Sequence, residues 1–125
     1  MITQKKFYIP AIFWAVSILY LSAFAGPQIE INFILFAPDK ILHFAAYGLL
    51  SILIGWGYFR QHQQLSIKVF LIILTIGFTY GILMELMQYL FLPNRYFEFG
   101  DMLANFIGSF FGLLLIRMYC LNIIK

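Results

Sequence analysis

The sequence predicts an all-α integral membrane protein: one domain over residues 1–125, built as a bundle of four membrane helices with both termini cytoplasmic. Three observations lead there. The chain is 63% hydrophobic and only 10% charged over its 125 residues, a balance that cannot clothe a water-soluble surface, so its solvent is a bilayer. Its apolar residues fall into four runs, each near the roughly 20 residues that cross a hydrocarbon core. Its charges also segregate. All five acidic residues (Glu30, Asp39, Glu85, Glu98, Asp101) fall at one end of these runs, and six of the eight Lys and Arg (Lys5, Lys6, Arg60, Lys68, Arg117, Lys125) fall at the other. Cytoplasmic loops retain Lys and Arg, so the basic end is expected inside and every carboxylate on or near the outer face.

The first run spans 7–25. Pro10 sits in its first turn, where a missing N–H does little harm, and Gly26-Pro27 ends it. Lys5-Lys6, the apolar run and Ala23-Phe24-Ala25 also resemble a secretory signal with a small-residue cleavage site, which would leave three spans in the same orientation. A partly apolar loop carrying Glu30 leads to Pro38-Asp39, which opens the second span, 40–59. The segment from Arg60 to Lys68 is short, polar and basic. The third span is 69–92, ended by the turn signal Pro93-Asn94-Arg95. An aromatic loop, Tyr96-Phe97-Glu98-Phe99, then leads to the fourth span, 101–119.

Composition excludes several classes. No separate soluble catalytic domain fits in this length. The net charge of +3 comes from residues at loop ends, which suits anionic lipid headgroups and gives no clustered basic face for nucleic acid. The single cysteine, Cys120, makes no internal disulfide and no Cys-based metal site. There is no Gly-rich phosphate loop, no Ser-nucleophile motif and no haem-attachment motif. No cofactor and no metal are expected.

The polar residues inside the apolar runs carry the functional signal, because a charged side chain in hydrocarbon costs on the order of 3 kcal/mol even on the mildest insertion scale. Glu85 and Gln88 share a helix face at i, i+3, and Glu85 lies about 10 Å below the outer end of its helix. In the second span Asp39, His43 and Tyr47 stack at intervals of four, with Lys40 adjacent. Asp101 opens the fourth span as a first-turn acid, and Asn105, Gly108 and Gly112 continue its stripe, which allows close helix approach. Arg95 is the natural counter-ion for Glu85, Asp101 or an incoming anion.

The ordered set Pro38-Asp39-Lys40-x-x-His43-Phe44-x-x-Tyr47, Glu85-x-x-Gln88, Arg95, Asp101-x-x-x-Asn105 and Gly108 resembles the VanZ-like membrane proteins over roughly residues 38–115. The resemblance implies a multi-pass protein of the bacterial plasma membrane and a cell-envelope role. The founding member is associated with resistance to teicoplanin, through a biochemical activity that is not established. Nothing in composition or spacing points to antibiotic resistance in this chain.

Three functions follow as expectations. In the first, an outward-facing pocket binds an anionic lipid-linked or cell-wall-type ligand. Arg95 and Lys40 meet the anion, with His43, Tyr47, Glu85, Gln88, Asp101 and Asn105 around it. In the second, the chain is a membrane hydrolase or transferase, with Asp39 and His43 as acid–base pair. Asp39 and His43 with Asp101 or Glu85 could alternatively serve as metal ligands, but the lack of a second His or any neighbouring Cys weakens that reading. In the third, the motif only knits helices together. Membrane lipids are the expected partners, with a homodimer needed if the chain encloses a transport path.

Overall fold

In a computed structural model of the chain, residues 5–24 and 38–124 are described. The expected Gly26-Pro27 break and the placement of Glu30 and Lys125 lie outside them. A 3-10 turn, Lys6–Tyr8, leads into α1, Ile9–Ala23; α2 is Pro38–His62, α3 is Ile67–Phe91 and α4 is Phe99–Ile124. Counting the 3-10 turn with α1 (Lys6–Ala23), all four are long and apolar enough to cross a membrane.

Local chemistry sets the helix ends. Pro10 occupies the first turn of α1. Ser66 caps α3, its Oγ accepting from the Val69 amide at 3.3 Å, which satisfies one of the orphan donors of a first turn. After α3, Asn94 takes a left-handed backbone, φ 57°, a conformation that Asn tolerates. Helices α2 and α4 run past the apolar spans read from the sequence, through Arg60-Gln61-His62 and through Leu121 to Ile124. Hydropathy marks where hydrocarbon ends, whereas a helix satisfies its own backbone groups on both sides of that line.

Inside the bundle the usual polarity is inverted. Large apolar side chains such as Phe13, Leu42, Phe91 and Leu115 are exposed, while Ser51, Glu85, Gln88, Asp101, Asn105 and Ser109 are buried. Lipid tails are as apolar as leucine, so the helices gain little by hiding leucine and are held by close packing and polar contacts.

The tightest pair is α2 with α4, which run in the same direction. A Cβ on Gly108 would run into the Phe44 carbonyl, and one on Gly112 into the Gly48 carbonyl. The Gly108-x-x-x-Gly112 stripe therefore brings backbone against backbone. Nearer the far end of the pair, a Cβ on Gly55 would come within 2.9 Å of Ile116.

Helix α1 is the outermost layer, fastened among the described residues by three hydrogen bonds. Trp14 Nε1 donates to the Ala46 carbonyl at 2.8 Å, Tyr80 Oη to the Ala15 carbonyl at 2.6 Å, and Gln88 Nε2 to the Ser22 carbonyl at 3.2 Å. At the end holding Lys5, Lys6, Arg60 and Lys68, Arg117 Nε donates to the Leu65 carbonyl at 3.3 Å. At the opposite end stand Asp39, Glu85, Glu98 and Asp101.

The close pair generates a prediction. Gly112→Ala should lower stability in detergent by about 1–3 kcal/mol, the usual cost of overpacking, read as the loss of helical signal on heating. An unchanged melting curve would show that α2 and α4 do not meet there.

Candidate functional site

The acidic end gathers residues from all four helices, and Lys40 is its hub. Its Nζ lies 3.0 Å from Glu98 Oε2, 3.1 Å from Asp101 Oδ1 and 3.4 Å from Asp39 Oδ2. The Lys40 side chain is largely buried, Asp101 is almost fully so, and Asp39 and Glu98 stay partly wet. Asp39 and Asp101 each stand in the first turn of a helix, so the positive ends of the α2 and α4 dipoles favour their charge. Gly100 makes room for the hub: a Cβ there would come within 2.8 Å of the Lys40 side chain.

One helical turn further in lies His43. Its Nδ1 is 3.0 Å from Asn105 Oδ1. An amide oxygen only accepts, so Nδ1 carries the proton in this pair and Nε2 presents its lone pair when the ring is neutral. That Nε2 faces Asp101 Oδ2 at 3.5 Å and Glu85 Oε1 at 4.0 Å. Glu85 is 2% exposed, and its Oε1 has no hydrogen-bond partner among the described residues. Asn105 is fully buried. It fits because α3 carries Gly81 opposite, where a Cβ would come within 2.9 Å of Asn105 Nδ2.

Gln88 bridges outward, its Nε2 on the Ser22 carbonyl and its Oε1 accepting from Arg95 Nη2 at 3.1 Å. Arg95 is half-buried in the turn after α3 and is among the charges felt by Glu85, with Asp101 and Glu98. Tyr47 lies deeper, in an apolar cluster with Ile18, Leu50 and Met84, its ring tilted against Tyr80 at 6.1 Å.

Of the residues singled out from sequence, the structure brings His43, Glu85, Asp101 and Asn105 into one cluster, with Lys40 and Asp39 beside it and Gln88 and Arg95 at the rim. Two details differ from the helical-spacing reading. The carboxylates that pair with His43 are Asp101 and Glu85, on other helices, whereas Asp39 pairs with Lys40. Lys40, expected to face an anion, is surrounded by carboxylates of its own chain. Glu98 was read only as an outer-face charge. Periodicity places residues on one helix and gives no register for a loop, so its contact with Lys40 had no sequence signal.

A parallel α2–α4 pair crossed by two antiparallel helices, apolar outside and charged at one buried end, defines a polytopic membrane protein with a site built between its helices. The chain belongs to the VanZ/LLP1 family, whose family model matches residues 7–122. A search of curated proteins and a search of solved structures each gave no match.

The hub carries its own prediction. Lys40→Met leaves three carboxylates without their shared cation and should cost about 3 kcal/mol, the low end for breaking a buried pair because two of the acids are partly wet. The deficit should shrink as pH falls and the carboxylates take up protons, read from melting curves of both proteins across a pH series.

Proposed function

We propose that the chain is a multi-pass protein of the bacterial plasma membrane, basic end in the cytoplasm and acidic end outward, that takes the polar head of a lipid-linked envelope ligand. The segregation of charge supports the orientation. Membership of the VanZ/LLP1 family supports an envelope setting.

The observation that carries the ligand reading is the Glu85 carboxylate, 2% exposed with Oε1 unpartnered among the described residues. Ser51 Oγ, Ser109 Oγ and Asn105 Nδ2 are also buried without a partner among the described residues, but Glu85 differs in being a carboxylate, the group whose unsatisfied oxygen costs most at that depth. Arg95 at the rim is the residue that meets an anionic group, since its planar fork suits phosphate or carboxylate. Lys40 is already engaged. Four carboxylates surround the site against two fixed cations, Lys40 and Arg95, so the preferred head carries an anion for Arg95 and hydroxyl donors for the acids, as a phosphosugar does.

A second reading, a hydrolase or transferase acting on such a lipid, is favoured by the geometry of His43. Asn105 orients its ring, and Nε2 stands beside two carboxylates as a general base or acid would.

Native mass spectrometry of the chain in micelles doped with a polyprenyl-phosphate-linked sugar, with phosphatidylglycerol as competitor, tests the first reading. The polyprenyl-phosphate-linked sugar should stay bound to the native chain and be lost from Glu85→Leu and Arg95→Ala while both remain helical. Equal retention in the variants removes the reading. Release of phosphate from a polyprenyl diphosphate, abolished in His43→Ala with the lipid still bound, would establish the second.

A further inference from the structure

Two trios of potential ligand atoms stand side by side at the acidic end and share Asp101: Asp39, Glu98 and Asp101 in one, His43, Glu85 and Asp101 in the other. Within each, the atoms lie within 4.8 Å of one another. The first trio has its cation built in, because the Lys40 ammonium sits 3.0–3.4 Å from all three carboxylates. The second trio has no Lys or Arg nitrogen among the described residues, and its own His43 is a cation only when protonated. Arg95 turns its Nη2 to Gln88, and Lys40 reaches only the other oxygen of Asp101, Oδ1.

From this contrast we propose that His43 Nε2, Glu85 Oε1 and Asp101 Oδ2 bind a divalent first-row transition-metal ion. The inference goes beyond the headgroup reading and does not need it.

Three features support it. First, all three groups bring an acceptor within 4.8 Å of one another. With Nδ1–H committed to Asn105 Oδ1 at 3.0 Å, neutral His43 offers a lone pair toward two carboxylate oxygens, an arrangement completed by a bound cation or by a proton on Nε2. Second, the Glu85 oxygen aimed into the trio is buried and unpartnered among the described residues. Third, the spacing is close to that of a metal site. Two ligands each about 2.1 Å from a tetrahedral ion stand about 3.4 Å apart. The Nε2–Asp101 separation of 3.5 Å meets this, and the Nε2–Glu85 separation of 4.0 Å needs only a small side-chain shift.

The surroundings supply the outer contacts that metal-bound groups use. Asn105 fixes the histidine tautomer, and Lys40 holds the far oxygen of Asp101. One imidazole and two carboxylates suit zinc or manganese better than copper(I), which prefers sulfur. Two carboxylate charges match the charge of the ion. On sequence grounds the lack of a second His or any neighbouring Cys disfavours a metal, although Asp101 and Glu85 are already candidate ligands beside Asp39 and His43. In the structure Glu85 on α3 and Asp101 on α4, 42 and 58 residues further on, both face His43, while Asp39 pairs with Lys40.

The test uses the purified full chain in detergent, stripped with a chelator and titrated with Zn²⁺ and Mn²⁺ by calorimetry, with Co²⁺ absorption reporting the ligand geometry. A single ion should bind per chain and raise the melting temperature. Glu85→Gln and His43→Ala should abolish both effects, and Asn105→Ala should weaken affinity about 10–100-fold, the usual cost of losing an outer partner. His62→Ala, at the opposite end of the bundle, should bind as the native chain does. If His43→Ala does not fold, Glu85→Gln, which preserves shape, decides alone. No saturable binding to the native chain, or binding unchanged in Glu85→Gln, overturns the proposal.

Discussion

The backbone contact between α2 and α4 is the constraint on which the rest depends. The carbonyls of Phe44 and Gly48 lie where Gly108 and Gly112 have no side chain. Two parallel helices joined this closely cannot slide by a residue without driving Cβ atoms into carbonyl groups. That fixed register places His43 beside Asn105 about one turn, and Lys40 beside Asp101 about two turns, toward the acidic end from Gly108. The glycines do no chemistry, yet they determine which polar residues meet.

Helix α3 completes the arrangement from the opposite direction. It brings Glu85 to the depth of His43, and its Gly81 leaves the room that the Asn105 amide occupies. Lys40 then holds together three carboxylates that would otherwise repel one another, and the first-turn positions of Asp39 and Asp101 put their charge at the favourable ends of two helix dipoles. The acidic end is thus stabilised by one ammonium and two helix termini, while the neighbouring group of His43, Glu85 and Asp101 keeps three converging acceptors. A purely structural network would be expected to close on itself.

Much of the fold was legible in the chain. Four apolar runs, punctuated by Pro38, by the polar segment from Arg60 to Lys68 and by Pro93-Asn94, give the helices their order. Intervals of four placed His43 and Tyr47, and Asp101 and Asn105, on shared faces. Sequence spacing could name candidate partners across helices but could not choose among them. It paired Asp39 with His43 because both lie on α2, while in three dimensions Asp101 and Glu85 are the histidine's neighbours. It left Lys40 available to a ligand because the loop that delivers Glu98 has no period to read. Tyr47, on the same face as His43, lies one turn deeper and ends in apolar packing with Met84 and Leu50. The small residues were a better guide than the charges, since Gly108 and Gly112 announce a close helix partner without naming it.

The central claim is that α2 and α4 lock His43 onto Asn105 and thereby aim Nε2 at the buried carboxylates. Magic-angle-spinning NMR on the chain in bilayers, with ¹⁵N-labelled histidine and ¹³C-labelled asparagine, addresses it directly, and His62, stacked on Tyr58 at the other end, serves as the internal control. The account predicts a dipolar contact between His43 Nδ1 and the Asn105 side-chain carbonyl, consistent with the 3.0 Å hydrogen bond, together with a proton on Nδ1. A His43 ring with no coupling to Asn105 would contradict the register of the two helices and the site built on it.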